Sequence, residues 1–451
     1  MRLNPVIAWF ERFRLRLSRF HPDHFRIARA AFWVGLFTLS AKLIAAAKEM
    51  AMAWRYGLGP EVDAYNLALT WATWLPVVLA GIFAAVLVPA LSRLNLHDSL
   101  QRHYFLQEIN GLAALVSLVV TLLIGLFAFW GFPYFAWGLD QVTQDLAHQM
   151  LISLLPLVAL TILIGLHVTL LQVGHDRAYP AAEGLPALAV VGFIFVLDGA
   201  EGLPLVAGVL IGTVAQYIWL MQRTRRQYGR IGFAWRFHSP EWGPLWRFAI
   251  LVGLGQLVMS FATPLDQLYA ARLGPGALAT LGYCNRMIAI VLTLGALIVS
   301  RATLPVFAEG VASGQFDRIG GMAAKLALVL LLLGAVAALA LGWFAPWIVA
   351  LLFENGRFSP EDTQQVAHLF RYALFQVPFS FALVVLASLL VSARLNALNL
   401  WASMLFIVLK VVGLTLLVDW LGLEGVVLST GIAYALSAFF IFIALHRRRT
   451  C

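Results

Sequence analysis

The sequence predicts an all-α polytopic membrane protein: two six-helix lobes in a parallel pseudo-twofold repeat around a central cavity. Three observations carry that expectation. The 451 residues are 61% hydrophobic and only 12% charged, where a soluble domain is about a quarter charged. Twelve segments reach the length of about 20 mostly apolar residues that a membrane-crossing helix needs. Phrases from the first half also return at matching intervals in the second.

The chain opens with a basic, aromatic tail, residues 1–28, which carries no small-residue cleavage site. Its stretch PVIAWFERFRLRLSRF sets Val6, Trp9, Phe10, Phe13, Leu17 and Phe20 on one helical face, with Arg12, Arg16 and Arg19 largely elsewhere. That pattern reads as an interfacial helix on anionic inner-leaflet lipids; a disordered tail that only sets topology is the alternative. The first lobe, 29–222, holds apolar segments 29–55, 63–92, 108–131, 149–173, 180–199 and 203–222. A basic linker, 223–243, leads to the second lobe, 244–451, with segments 244–272, 277–307, 321–346, 365–392, 398–420 and 423–445.

The net charge of +9 is unevenly placed. Seven arginines lie in the first 30 residues, five more (Arg223, Arg225, Arg226, Arg230, Arg236) near the centre, and Arg447 to Arg449 at the end. The intervening turns carry Asp140, Asp145, Asp198, Glu201, Asp419 and Glu424. This is positive-inside bias, which argues against nucleic acid and places both termini and the linker in the cytoplasm of a bacterial inner membrane. Cys284 and Cys451 suggest neither a disulfide nor a metal cluster.

The repeat is legible in detail. YGLGPEVDAY between helices 1 and 2 matches ARLGPGALAT between helices 7 and 8, and each precedes an apolar helix ending in a proline phrase, VLVPALSRL or ATLPVFAEG. LAHQMLISLLPLVAL (146–160) likewise matches VAHLFRYALFQVPFSFAL (366–383). Six helices per half start both halves on one side, so the repeat axis is normal to the membrane.

Charges within such helices are functional candidates by default. Lys42 and Lys48 lie well inside helix 1, and Glu49, seven residues after Lys42, shares its face. The surplus cation suggests a lining for an anionic substrate, with Glu49 holding a lysine; a structural ion pair is the alternative. Arg55 and Asp63 flank the first turn, where Asp63 either pairs with Arg55 as a gate or caps helix 2. Asp266 follows Pro264 in helix 7, and Arg286 lies in helix 8. Lys410, mid-helix 11, has no acid near it in its own segment, where Asp419 stands at the end, and needs a partner on another helix, for which Asp266 is the candidate. Arg301 and Arg394 read as anchors, His167 as a packing residue. Paired carboxylates on a polar loop, H-E-x-x-H and a phosphate-cradling glycine loop are all missing, so the sequence predicts no enzyme, cofactor or metal.

AKLIAAAKEMAMAWRYGLGPEVDAYNLAL, LDQLYAARLGPGALATLGYCNRMIAIVLTLGALIVSRATLPVFAE, LLFENGRFSPEDTQQVAHLFRYAL and LGLEGVVLSTGIAYALSA resemble segments of the MurJ (MviN) lipid II flippase family, within the MOP exporter superfamily. The resemblance implies alternating access and transport of a polyprenyl-pyrophosphate-linked glycan from the inner to the outer leaflet. It assigns Lys42, Lys48 and Arg286 to the substrate, with lysine where arginine is usual in helix 1. Glu49 and Asp63 stand at acidic family positions. Departures are Leu75 and Pro76 in place of a helix 2 arginine pair, Ala289 in place of an acid, and Lys410 and Leu414 at positions that in some members ligate sodium together with counterparts of Asp266 and Thr430. Lys410 is therefore expected to stand in for the ion. Family members typically add two helices that hold the lipid tail; with the chain ending after helix 12, an exopolysaccharide repeat unit becomes the alternative cargo. Glycan synthesis enzymes are the further partners expected. A drug/cation antiporter of the same superfamily would prefer an acid-rich cavity, and a non-transporting scaffold would not keep costly intramembrane charges.

Overall fold

The computed structural model describes residues 22–94, 99–136, 138–197, 202–235, 238–239, 242–393 and 395–450. The expected interfacial helix of the tail, Arg394 and Cys451 lie outside them. The first lobe runs α1 (Pro22–Tyr56), α2 (Pro60–Leu94), α3 (Ser99–Trp130), α4 (Gln141–Ser153), α5 (Leu155–Val173), α6 (Leu185–Val196) and α7 (Leu203–Tyr228). The second runs α8 (Trp242–Ser260), α9 (Ala262–Ala270), α10 (Ala277–Ala312), α11 (Phe316–Trp343), α12 (Ala345–Phe353), α13 (Pro360–Ala373), α14 (Gln376–Ser392), α15 (Asn396–Leu421) and α16 (Leu423–Thr450).

Each expected crossing is occupied by one helix or by a broken pair. The fourth crossing breaks between α4 and α5, the tenth between α13 and α14, and each second half opens with a proline in its first turn, Pro156 or Pro378. A proline there gives up no helical hydrogen bond. The packing repeats as well: α2 lies against α5 as α10 lies against α14, and α6 pairs with α7 as α15 pairs with α16. Among the described residues, ten helical segments are long and apolar enough to cross a membrane. The two crossings outside that set are α1, which carries Lys42, Lys48, Glu49 and Arg55, and α10, whose apolar part is Ala277–Thr293. α7 runs on to Tyr228 instead of ending near 222, so the basic linker begins as helix.

Two ends can be told apart. The basic end carries Arg223 to Arg230. At the far end lie the α1–α2 turn and a set of aromatic rings, Trp130, Tyr134, Trp343, Trp347 and Trp420, each at least 76% exposed. Such amphipathic rings suit the membrane–water boundary. At the far end the lobes share one core, in which Tyr56, Val62 and Tyr65 pack with Leu278, Tyr283 and Phe353. At the basic end the cores separate. One gathers Leu91, Phe105 and Leu166; the other gathers Phe307, Leu386 and Ile441.

The linker is bound across α3. The buried carboxylate of Glu108 accepts from His238 N at 2.8 Å and from Trp242 Nε1 at 2.7 Å. Ala234 N donates to Gln107 O at 3.1 Å, and a Cβ at Gly111 would stand 2.1 Å from Ala234 O. Only glycine admits the linker backbone this closely. Trp242 and Leu245, at the start of α8, are thereby buried in the first lobe's core.

Glu108→Ala removes the acceptor for these donors, each costing about 1–3 kcal/mol when left unmade. Tryptic cleavage at Arg230 should accelerate by about tenfold or more; an unchanged cleavage rate in the purified variant would count against the clasp.

Candidate substrate and gating site

Where α1, α2 and α10 meet, one carboxylate serves two cations. Glu49, 8% exposed, lies 2.8 Å from Lys48 Nζ through Oε1 and 2.8 Å from Arg286 Nε through Oε2. Arg286 Nη2 also donates to Asn66 Oδ1 at 2.8 Å, and Asn66 Nδ2 donates to Leu278 O at 3.4 Å. Lys48 and Arg286 each lie 5.9 Å from a ring centroid, of Tyr65 and Tyr283. The group keeps a surplus positive charge, and Arg286 Nη1 is buried without a hydrogen-bond partner among the described residues. A forked guanidinium with a free arm, next to an ammonium, is suited to a phosphate oxygen.

Lys42 is not part of this group. It is exposed, two turns toward the basic end, and makes no ion pair among the described residues. Glu49 therefore restrains Lys48 and not Lys42, which lies two helical turns away from its carboxylate.

Asp63 is fully buried, and its carboxylate accepts from Gly276 N and Ala279 N, both at 2.6 Å. Both sequence-based alternatives for it are corrected: it neither caps its own helix nor holds Arg55. It caps α10 of the opposite lobe. The cap position of α10 is Gly276, at φ +79°, which has no side chain to offer. The acid lost from the second copy of the turn motif is thus supplied by the first. Arg55 instead donates to Ile194 O at the end of α6 and lies over the Tyr56 ring. Two further bonds join the lobes here, Tyr283 Oη to Gly57 O at 3.3 Å and Arg357 N to Trp54 O at 2.8 Å.

Asp266 and Lys410 meet. Nζ lies 2.5 Å from Asp266 Oδ1, and Lys410 is 0% exposed. Nζ also donates to Val426 O at 2.9 Å, Ser429 Oγ at 3.0 Å and Thr430 Oγ1. The break at Phe261 between α8 and α9 brings Asp266 to this position. Sequence reasoning missed Asn66 and Ser429. Asn66 follows Asp63 by one helical turn, and Ser429 adjoins Thr430, so spacing from known charges was the available signal. His167 is buried, with Nδ1 3.1 Å from Thr224 Oγ1, as a packing residue would be.

The architecture is a two-lobed polytopic helical fold, shared with flippase and multidrug-transporter structures. The structure aligns with a lipid II flippase MurJ in an inward closed conformation at TM-score 0.78 and 17% identity, covering 92% of this chain and 87% of that one. It aligns with an inward-facing multidrug resistance MATE family transporter at TM-score 0.72 and 16% identity, over 92% and 97%. The family model described as "Lipid II flippase MurJ" matches residues 52–451, and the chain belongs to that family. Its members are flippases, not enzymes. A Thermotoga maritima relative named "Probable lipid II flippase MurJ" is 23% identical over 93% of this chain and 84% of its own length. A Rhizobium meliloti relative of the same name is 25% identical over 74% of this chain, and the match spans 65% of that relative.

Lys410→Ala leaves a carboxylate without its counter-charge, which costs about 3–5 kcal/mol at a buried pair. The variant should have a lower thermal midpoint than wild type, and Asp266→Asn combined with Lys410→Met should recover most of the loss. Equal midpoints for wild type and Lys410→Ala would rule this out.

Proposed function

We propose that the chain carries a polyprenyl-pyrophosphate-linked glycan, lipid II by family membership, from the inner to the outer leaflet of the bacterial cytoplasmic membrane. The basic end, with both termini, faces the cytoplasm, following the positive-inside bias. The observation that carries the reading is the over-compensated carboxylate: Lys48 and Arg286 share Glu49 and leave one positive charge and one free guanidinium arm for an anion.

The cycle has two states. In the state described here the far end is latched by Asp63 and the shared core, while the lobe cores are separate at the basic end. Loading therefore occurs from the cytoplasmic side. The pyrophosphate is drawn past Lys42 to Lys48 and Arg286, and the prenyl chain stays in lipid. Anion binding competes for the two cations on Glu49, and both belong to helices joined at the latch. Opening at the far end then requires Asp63 to leave Gly276 and Ala279. An inside-negative potential favours outward movement of the anion by roughly 2.3 kcal/mol per charge per 100 mV. Lys410 supplies a tethered cation at Asp266, so no dissociable ion is needed there.

Lys48→Ala should lower glycolipid flipping in proteoliposomes by about 10- to 100-fold, the range set by one charge-assisted contact, with insertion intact. Wild-type flipping by that variant would refute the assignment. Flipping should also proceed equally in sodium-free and sodium-containing buffer, and sodium bound at Asp266 in the wild type would overturn the tethered-cation role.

A further inference from the structure

Between α2, α3 and α8 the bundle leaves a narrow slot of about 230 Å³. It runs from Leu87, Ile109 and Trp242 at the basic end to Leu79, Val116 and Ile250 deeper in the membrane. At about 1.5 Å per residue, that is roughly 10–12 Å along each helix. Every residue of the lining is apolar or aromatic, and the indole N–H of Trp242 is already donated to Glu108. Two other faces of α8 are packed against protein: Gly253 lies toward Ile82 of α2, and Gly255 toward Leu400 of α15. Trp246, Ile250 and Leu254 occupy the remaining face and are 47–60% exposed. The slot therefore opens on the lipid-facing flank of α8.

The shape of the slot selects its occupant. Water would find no polar partner in it, and an empty void forfeits contacts of its lining. Its volume spread over its length gives a cross-section on the order of 20 Å². A helix, about 10–12 Å in diameter, cannot enter. One extended hydrocarbon chain can. Such a chain advances roughly 1.2 Å per bond, so about eight to ten carbons fill the slot. The regular methyl branches of a prenyl chain need more width than this, and overpacking a narrow apolar space is unfavourable.

The mouth of the slot supplies the other half of a lipid site. Phe105, Ile109, Leu112 and Val116 form one stripe of α3, and the stripe continues one turn toward the basic end as Arg102. Helical side chains lean toward the N-terminus of their helix, which for α3 is the basic end, so Arg102 reaches past the slot toward headgroup level. It stands close enough to act on the Tyr228 hydroxyl. Tyr228 and Ile231 pack on the core that backs the slot, and exposed Arg230 lies between them in sequence. Exposed Phe233 and Trp235 follow on the linker. Guanidinium groups above a chain-wide apolar slot, with aromatic rings at the boundary, match a phospholipid: its phosphate at the arginines, one acyl chain in the slot.

We infer that the slot holds one unbranched acyl chain of a resident inner-leaflet phospholipid, which is not transported and which extends the contact of crossing 7 with the first lobe from Trp242 down to Ile250. Native mass spectrometry of the detergent-solubilised full-length protein tests this with four probes: dipalmitoyl phosphatidylglycerol, its methyl-branched diphytanoyl analogue, a short-chain prenyl phosphate, and glycerol 3-phosphate, which has a headgroup but no chain. The wild type should retain one dipalmitoyl lipid per chain, about tenfold or more tighter than the branched lipid, and should not retain glycerol 3-phosphate. Ala249→Phe, which fills the slot, should bring that ratio toward one. Arg102→Gln should weaken both lipids by about tenfold, the scale of one charge-assisted hydrogen bond, and keep the ratio. Lys48→Ala should retain the dipalmitoyl lipid as the wild type does, so the outcome is independent of the flippase reading. Equal retention of branched and unbranched lipid by the wild type overturns the inference. So does an undiminished preference in Ala249→Phe. A prenyl phosphate held more tightly than the dipalmitoyl lipid, or loss of that lipid in Lys48→Ala, assigns the slot to the cargo and likewise overturns the resident lipid.

Discussion

A charge without a partner inside a membrane is expensive enough to decide where every ionisable side chain in this bundle sits. Glu49 is held by two cations from two helices, Lys410 by Asp266 and three helix-end acceptors, and Asp63 by the amide groups that open a helix of the other lobe. Apart from Lys48 on Glu49, none of these compensations is made within a single helix. The others tie together segments far apart in sequence, so the same electrostatics that make the charges tolerable also fix which helices meet. Two of the three sites come out balanced. The third does not: Lys48 and Arg286 together exceed Glu49 by one charge, and that excess is the feature an anionic cargo would complete.

The distribution of the apolar core follows the same division. Where Asp63 joins the lobes, side chains of both contribute to one continuous core, and Tyr65 and Tyr283 are fully buried within it. Toward the basic end each lobe keeps its own core. Apolar contact between lobes is non-directional and can be remade elsewhere. A carboxylate on two amide groups at 2.6 Å cannot slide and has to be broken. Asp63 therefore fixes the register of the far-end contact, and the surrounding apolar core packs about it.

The fold was legible because apolar length and repeated phrases are local signals. The helices at the expected crossings, ten of them long and apolar enough to span a membrane among the described residues, and the pairing of Asp266 with Lys410 could be read, the second because a central lysine with no acid near it on its own helix admits few partners. The latch could not be read. Asp63 stands three residues after Pro60, where a cap for its own helix is the natural expectation, and nothing local says that the deficient N-terminus is Gly276, more than two hundred residues away. The missing acid in ARLGPGALAT was the trace of it: a repeat that loses a cap in one copy needs one from elsewhere. Lys42 shares Glu49's face, but two helical turns of separation leave Lys48 as the lysine that reaches the carboxylate.

Crossing 7 shows how these ties combine. Its first part, α8, is bound to the first lobe at both ends, by Trp242 on Glu108 and by Ser260, whose Oγ accepts from Trp74 Nε1 at 3.0 Å. Its second part, α9, carries Asp266, which Lys410 holds to α15 and α16 of the second lobe. One crossing is thus anchored to both lobes, and the break at Phe261 lies between the anchors. Pro264 leaves the helix there without one backbone donor, so the break needs no lost hydrogen bond to persist. Because the Lys410 ammonium is tethered to α15 and has more acceptors around it than protons to give, its hold on α9 needs no dissociable metal ion. The second anchor is therefore built from side chains alone, and the break between the anchors is held from both lobes.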